Sequence, residues 1–358
     1  MMIEGLDGLL EGRDAPGLTE LRALLEDLIA GRGVAARLTG QELLQQRPLR
    51  VCRLRFLVGG ETRAVVIKEL APEVARLVEL VASRWLPALG LGEAGPPLLG
   101  GAAARDGSCV WHVYDDLGPW ELNALQPERD RVRAAVELIG RVHVRFAGHH
   151  LLGEIRQHGG DRGLHFYQSN VCDASHALRG WRPDAGGRAL RDRLLARLRR
   201  LEEETPRRTR ALAGLDLPET LVHGDLWGTN ILVQPAADGP RARLIDWDRA
   251  AVSPATYDLS TLLLRFPAEH RPWVLDLYRE AVAPAGWRLP SGPELDLALE
   301  THEQARIANR LIWPALALAM DEASWGAEAL AEIEGWFEDL GRAGLERRAV
   351  PALDRAAP

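Results

Sequence analysis

Four polar side chains with distinctive spacing lie in the second half of the chain. His223, Asp225 and Asn230 belong to the segment LVHGDLWGTNILV, in which Asn230 follows Asp225 by five residues, and Asp246 comes later in LIDWD. A carboxylate on a loop can accept the proton of a hydroxyl group. Carboxylate and amide oxygens are also the hard ligands that Mg²⁺ prefers. The segment therefore indicates a polar site suited to proton transfer and to metal binding.

Lys68 is the one lysine among the 44 Lys and Arg residues of the chain. Lysine is a compact point charge on a flexible stem, whereas arginine is planar and forked, so the two are not interchangeable at a tight phosphate site. The alternative is that one ordinary surface lysine has survived by chance. Composition alone leaves both interpretations open.

The first part of the chain is expected to form a small, strand-rich region. Two strands with a Gly59–Gly60 turn between them predict a hairpin, which places Lys68 near the end of its second strand. The predicted elements are a helix at 17–31, strands at 50–58 and 63–69, a helix from Pro72 to about Trp85, a loop at 90–101, a strand at 108–114 and a linker at 115–120.

From Glu128 onward, helical spacing of apolar residues dominates the pattern. The predicted elements are helices near 128–146, 188–212, 258–265, 269–283, 293–312 and 325–340, a Gly- and His-rich loop at 148–163, and short strands at 230–234 and 241–247. The sequence thus predicts an α+β fold in two lobes. Residues 1–116 form a small N-terminal lobe with an antiparallel sheet and a helical extension at 1–34, and residues 117–358 form a larger, mainly helical C-terminal lobe.

The pattern H-G-D-x-x-x-x-N followed by I-D-W resembles the catalytic and metal-binding loops of the aminoglycoside phosphotransferase and choline kinase-like family. Its members are small-molecule kinases with a protein-kinase-like, two-lobed fold. The resemblance covers about residues 35–340 and is specific at Lys68, 223–230 and 245–248. It implies ATP and Mg²⁺ as cofactors, because a departing phosphoryl group needs its charge neutralised. It also implies that Asp225 is the catalytic base and that Asn230 and Asp246 bind the metal.

The same resemblance gives Lys68, in VVIKEL, the task of holding the α- and β-phosphates and of pairing with a helix glutamate. We favour Glu79 because the residues after it, LVASRWL, resemble the corresponding stretch of the family. The alternative is Glu73, although a first-turn glutamate can simply favour the helix N-terminus. Backbone groups of Tyr114, Asp115, Asp116 and Leu117 are expected to bind adenine. Residues 39–50 (TGQELLQQRPLR) lack G-x-G-x-x-G, so the loop that covers the phosphates is unassigned.

Three further residues are expected to support this site. His223 is expected to stabilise its loop rather than to react. Asp258, in TYDLS, resembles the buried aspartate that braces the catalytic loop in this family, and the alternative is an ordinary helix N-cap. Asp248 is expected either to reach the metal site from behind Asp246 or to be a solvated loop carboxylate.

The acceptor is less well defined by the sequence. Trp227 lies where protein kinases commonly have lysine, as the resemblance implies, which favours a small hydroxylated molecule over a protein. The acidic face of the last predicted helix suits a polyamine such as an aminoglycoside, with a role in antibiotic resistance, or is simply solvated. A kinase of choline, an amino alcohol or a sugar is the second hypothesis, which aromatic residues beside Asp225 would favour. The third is a nucleotide-binding regulatory module without turnover, although Lys68 and the three site residues are intact.

Composition excludes several other classes. The 358 residues are 46% hydrophobic and 27% charged, which is typical of a globular protein. A net charge of -7 argues against general nucleic-acid binding. Neither a secretory signal nor an apolar run long enough for a bilayer is visible. Three dispersed cysteines indicate no disulfide framework. We therefore expect a cytoplasmic protein without a membrane partner, and the pattern leaves the oligomeric state open.

Overall fold

The computed structural model divides the chain into two units. It describes residues 3–10, 15–30, 34–45, 50–289, 292–321 and 323–347. The first unit contains the described residues up to Trp120 together with Arg243–Asp248. The second contains Glu121–Ala242 and the described residues from Arg249 onward. None of the helices in the described ranges is sufficiently long and apolar to span a bilayer.

The first unit is built on a five-stranded antiparallel sheet with the order β1-β2-β3-β5-β4. Its strands are β1 (Ala36–Gln45), β2 (Val51–Val58), β3 (Glu61–Leu70), β4 (Leu98–Ala103) and β5 (Val110–Asp115). Val65 and Ile67 of β3 are fully buried in a core that includes residues of the N-terminal helix. Because side chains alternate along a strand, Lys68 lies on the opposite face of the sheet. It pairs across the ladder with His112 of β5.

Helical segments precede β1 and follow β3 in the first unit. The N-terminal segment has a 3₁₀ turn (Leu6–Gly8) and α1 (Leu18–Leu25), which continues as one π turn (Glu26–Ala30). After β3, Pro72 occupies the first position of α2 (Pro72–Leu80), where its missing N–H costs nothing. A π turn (Val81–Trp85) and α3 (Leu86–Ala88) extend this helix. Glu79 therefore lies near the end of α2.

The second unit is mainly helical and carries the other four strands. Strands β6 and β9 pair antiparallel, and β7 and β8 form a second two-stranded sheet. The elements are α4 (Arg129–Phe146), α5 (Leu152–Gly159), α6 (Leu164–Gly180), α7 (Ala185–Glu203), α8 (Thr205–Gly214), β6 (Glu219–Val222), β7 (Ile231–Gln234), β8 (Arg241–Leu244), β9 (Ala251–Pro254), α9 (Thr256–Arg265), α10 (Arg271–Val282), α11 (Pro293–Met320) and α12 (Trp325–Arg347).

The predicted fold class is confirmed, because an antiparallel sheet dominates the first unit and helices dominate the second. Two local predictions are wrong. The stretch 90–101 was predicted as loop, but its end pairs with β5 as strand β4. The stretch 148–163 was also predicted as loop, but it contains α5, whose Leu152 and Ile155 are buried. In both places tertiary contacts outweigh the local excess of glycine and polar residues.

Candidate active site

The loop after β6 is shaped by a glycine and a buried carboxylate. Gly224 has a φ of +85°, and a Cβ at this position would collide with the carbonyl oxygen of Arg249. Glycine has no Cβ, so it adopts this positive φ and fits beside the carbonyl group without strain. Asp258, in the first turn of α9, accepts hydrogen bonds from the backbone N–H of His223 at 2.7 Å and of Gly224 at 2.9 Å. Two successive backbone groups of the loop are therefore fixed by one side chain.

Asp258 is 1% exposed, and its charge is stabilised by its surroundings. Burial alone would raise its pKa, but the hydrogen bond to His143 (Nε2 to Oδ2, 3.2 Å), the charge interaction with His223 and the backbone donors together lower the pKa below its usual value. His143 is itself held by the hydroxyl of Tyr278 at 2.9 Å. The carboxylate is not at the N-cap position, which belongs to Ala255. Its contacts are those of a brace for the loop.

Asp225 follows directly in this braced loop and is only partly buried. The indole N–H of Trp227 donates to its Oδ1 at 2.5 Å. The carbonyl oxygen of Asp225 accepts from the backbone N–H of Trp227 at 2.9 Å and from Nδ2 of Asn230 at 2.8 Å. His223 accepts the backbone N–H of Asp225 at 3.3 Å. One carboxylate oxygen is thus fixed by the indole, and Oδ2 has no hydrogen bond within the described residues.

Asn230 is buried, and its amide nitrogen is used within the loop. Its Oδ1 is therefore the atom of this side chain that is chemically suited to bind a cation. An amide oxygen is a hard ligand of the kind that Mg²⁺ accepts. The structure thus brings Asp225 and Asn230 into one hydrogen-bonded loop, with His223 and Asp258 as its supports.

Lys68 lies between two carboxylates of the first unit. Its Nζ donates to Oδ1 of Asp246 at 2.5 Å and to Oδ2 of Asp248 at 2.6 Å. Burial opposes the charged ammonium, but the two carboxylates outweigh it and raise the pKa of Lys68. For Asp248, burial and the like charge of Asp246 outweigh the attraction of Lys68 and raise its pKa to about 6. The three groups form one strongly interacting cluster.

Asp246 has a backbone conformation that is uncommon for a residue with a side chain. Its φ is +67°, in the left-handed region. Such conformations cost free energy and concentrate at functional sites, although aspartate tolerates them better than most residues. This turn places the carboxylates of Asp246 and Asp248 around a single ammonium group. Their oxygens are a donor set that fits a hard cation such as Mg²⁺.

Glu79 does not pair with Lys68, contrary to expectation. Its Oε1 lies 3.3 Å from Nε2 of His112, and Nδ1 of His112 lies 3.0 Å from the hydroxyl of Tyr114. Burial lowers the pKa of His112 despite the neighbouring glutamate. Glu73 is exposed in the first turn of α2. The ammonium is already neutralised by the two aspartates, which leaves the glutamate to the buried histidine.

The residues expected to contact adenine continue from β5. The side chain of Tyr114 is buried, and burial, together with the nearby carboxylates, raises its pKa well above the usual value. The backbone N–H groups of Asp115 and Asp116 bond to carbonyls of neighbouring segments at 3.0 and 3.3 Å. The Asp116 carboxylate accepts from Arg53 at 2.8 Å. This fixes the position of the strand end that precedes Leu117.

The model of the phosphotransferase enzyme family matches residues 52–292, which is more than half of the chain. The chain belongs to the phosphotransferase enzyme family. Comparison with curated protein sequences gives no match.

Solved structures with the fold of this phosphotransferase share little sequence with it. Spectinomycin phosphotransferase APH(9)-Ia, solved with ADP and spectinomycin, is 10% identical, with a TM-score of 0.52 over 92% of this chain and 98% of that chain. An ethanolamine kinase of Plasmodium vivax is 10% identical, with a TM-score of 0.53 over 94% and 97%. A choline kinase of Cryptosporidium parvum is 12% identical, with a TM-score of 0.50 over 87% and 92%. These likenesses show a common fold.

One loop and two residues of this phosphotransferase were not assigned from its sequence. The loop that covers the phosphates was left unassigned, and the connection between β1 and β2, within residues 39–50, includes residues 46–49, which lie outside the described residues. His112 and Arg265 were missed. His112 has a signal, since it alternates with apolar residues in WHVY on a buried strand. The sequence gives no signal for Arg265, because its neighbour Trp227 is distant in sequence and the guanidinium lies over the indole only after folding.

Proposed function

We propose that this phosphotransferase is an ATP- and Mg²⁺-dependent small-molecule kinase that transfers the γ-phosphate to a hydroxyl group. The proposal rests on the position of the Asp225 carboxylate. Trp227 fixes one of its oxygens, and Asp258 braces the loop that carries it. A positioned carboxylate of this kind can take a proton from an alcohol. Membership of the family supports phosphoryl transfer as the reaction.

In the proposed reaction, the acceptor hydroxyl lies beside Oδ2 of Asp225. The hydroxyl oxygen forms a bond to the γ-phosphorus, the bond from that phosphorus to the β–γ bridging oxygen breaks, and ADP leaves. The hydroxyl proton passes to Asp225. Trp227 holds the other carboxylate oxygen, so the base cannot rotate away. Catalysis of this type rests mainly on positioning and on neutralisation of charge.

We assign the α- and β-phosphates to Lys68, the adenine to backbone groups at 114–117, and the metal to Asn230 and Asp246, with Asp248 in support. When bound, Mg²⁺ neutralises the charge of the phosphates. Nucleotide binding by a protein of the same fold is supported by the ADP complex of spectinomycin phosphotransferase. Glu79 is assigned to positioning of the β5 segment through His112.

The acceptor is proposed to be a small molecule, in keeping with Trp227 beside the base. The neighbours with this fold include a spectinomycin phosphotransferase, a choline kinase and an ethanolamine kinase. These two classes correspond to the first and second hypotheses from the sequence. The proposed site of action of this phosphotransferase is the cytoplasm.

The proposal is tested by measuring ADP formation with a panel of aminoglycosides, amino alcohols, sugars and hydroxy acids. We expect acceptor-dependent ADP formation that requires Mg²⁺. Asp225→Asn keeps the size of the side chain but cannot accept the proton, so turnover should fall at least about 100-fold, as for loss of a general base. Nucleotide binding by this variant should stay near that of the wild type.

The matched control is Asp173→Asn, because Asp173 is an exposed carboxylate on α6. Its turnover should equal that of the wild type. If Asp225→Asn is as active as this control, Asp225 is not the base. If ATP with Mg²⁺ stabilises the protein but no member of the panel is consumed, the regulatory module without turnover replaces the kinase.

A further inference from the structure

The guanidinium of Arg265, at the end of α9, lacks an ionic partner. Its central carbon lies 3.1 Å from the centroid of the Trp227 ring. Within the described ranges, its Nε is buried without a hydrogen-bond partner, and no carboxylate forms an ion pair with the group. Buried charges in proteins are normally paired, because an unpaired one loses its hydration without compensation. The side chain of Arg265 is half-buried, so its unpaired guanidinium remains open to an anionic group.

Two carboxylates attract Arg265, and the one with the larger effect, Glu303, is already engaged. Glu303 accepts a hydrogen bond from Ser260 at 2.8 Å and forms an ion pair with Arg306. Burial lowers the pKa of Arg265 to about 10, and the attraction of Glu303 offsets only part of that effect. Arg306 is satisfied further by the carbonyl of Tyr257 at 2.5 Å. Glu303 and Arg306 thus pair with each other, and Asp225, which also attracts Arg265, forms no ion pair with it within the described residues.

Several arginines of the second unit interact with Asp225. Arg265, Arg306 and Arg310 each interact electrostatically with Asp225. Arg310 also interacts with Arg249, and both of these side chains are exposed. This arrangement repels a polycation or a quaternary ammonium group. One face of the Trp227 ring, which could otherwise bind an ammonium group, is already covered by the guanidinium.

We propose that the acceptor carries a carboxylate or phosphate group besides its hydroxyl, and that this anionic group binds the guanidinium of Arg265. The inference rests on the proposed function, because it describes a second part of the same acceptor. Trp227 links the two contacts, since its ring lies against Arg265 and its N–H donates to Asp225. An arginine fork can bind both oxygens of a carboxylate or phosphate and so orient the molecule. Hydroxy acids and phosphorylated sugars have this chemistry.

The first test uses inorganic phosphate and needs no turnover. Phosphate is titrated into the full-length protein at constant ionic strength, and the thermal unfolding midpoint is followed. Arg265→Met keeps an unbranched side chain over Trp227, and Arg179→Met, at an exposed arginine of α6, is the matched control. We expect phosphate to stabilise the wild type and the control equally, and to bind Arg265→Met at least about tenfold more weakly. Arg265→Lys, which keeps the charge but not the fork, should fall between them.

The titration is repeated with Mg²⁺ and a non-hydrolysable ATP analogue, which distinguishes the acceptor's anion from the γ-phosphate. We expect stabilisation by phosphate to persist. Its loss in the presence of the analogue would assign Arg265 to the nucleotide and overturn the inference. The inference is also overturned if phosphate does not stabilise the wild type, or if it stabilises Arg265→Met to the same extent.

The second test compares acceptors in matched pairs by ADP formation. Glycerate is compared with glycerol and glucose phosphate with glucose, while choline and streptomycin represent the cations. We expect kcat/KM to be higher for the anionic members, and Arg265→Met to remove this preference with an unchanged KM for ATP. A preference for the cations would overturn the inference. If no compound is phosphorylated, the kinase proposal loses its support, whereas the phosphate titration still decides the role of Arg265.

Discussion

Asp258 is the buried carboxylate that fixes the loop of Asp225, and its replacement by asparagine tests that arrangement directly. The variant has nearly the same shape but no charge. In the native protein the carboxylate accepts from the N–H groups of His223 and Gly224 and contacts His143. An asparagine has one acceptor oxygen, and its amide nitrogen can only donate. At least one of the loop N–H groups must therefore lose its partner.

The expected destabilisation follows from these contacts. A hydrogen bond to a charged group contributes about 1.5–3 kcal/mol, and a buried donor left unsatisfied costs about 1–3 kcal/mol. Together these predict that Asp258→Asn lowers the free energy of unfolding by about 3–5 kcal/mol, a large part of the stability of a typical domain. Displacement of Asp225 by about 1 Å is also expected to reduce kcat by about 100-fold.

The assay is urea unfolding followed by tryptophan fluorescence, combined with ADP formation under conditions in which the variant stays folded. The matched control is again Asp173→Asn, for which we expect a change below about 0.5 kcal/mol. If Asp258→Asn unfolds at the wild-type urea concentration and turns over at the wild-type rate, the carboxylate does not hold the loop. A loss of stability without loss of kcat would show that Asp258 supports the fold but does not position Asp225.

Two further predictions concern buried charges. Lys68→Met leaves the partly exposed carboxylates of Asp246 and Asp248 without their cation, so the free energy of unfolding should fall by about 1–3 kcal/mol. The KM for ATP should rise at least about tenfold, and wild-type ATP kinetics would contradict this. Burial, with the nearby charge of Arg306, lowers the pKa of His302 from 6.5 to about 3. The unfolded chain binds a proton at His302 in this range and the folded protein does not. The free energy of unfolding should therefore fall as pH decreases from 6.5 towards 3, by up to about 1.4 kcal/mol per pH unit. His302→Gln should reduce the slope of unfolding free energy against pH in that range, and identical slopes would refute the assignment.

The sequence predicted the parts of the fold that depend on local patterns. The hairpin of β2 and β3 follows from alternation of apolar residues around Gly59–Gly60, and Pro72 marks the start of α2. Strand β4 was missed because its two glycines favour a loop locally, whereas pairing with β5 supplies the hydrogen bonds that make it a strand. Helix α6 was missed as well, since polar residues interrupt its apolar face. It is stabilised mainly by packing against α11.

The candidate site could be predicted only where its residues form a recognisable motif in the sequence. Asp225, Asn230 and Asp246 were found because their spacing resembles a family pattern. The partner of Lys68 was not predicted correctly, because the choice between Glu79 and the aspartates depends on how the turn at Asp246 folds. Arg265 left no local signal, since an unpaired guanidinium can be recognised only when the positions of all neighbouring carboxylates are known.

The single lysine acquires a physical explanation from its two partners. The carboxylates of Asp246 and Asp248 approach one nitrogen atom, at 2.5 and 2.6 Å. A lysine ammonium can donate to two carboxylates from one compact centre, whereas the planar guanidinium spreads its donors over a wider fork. Elsewhere this arginine-rich chain uses that fork, as Arg53 does with Asp116 and Glu42. A chain that otherwise uses arginine for its basic side chains thus keeps lysine where two carboxylates converge on one point, and that point belongs to the cluster assigned to the phosphates.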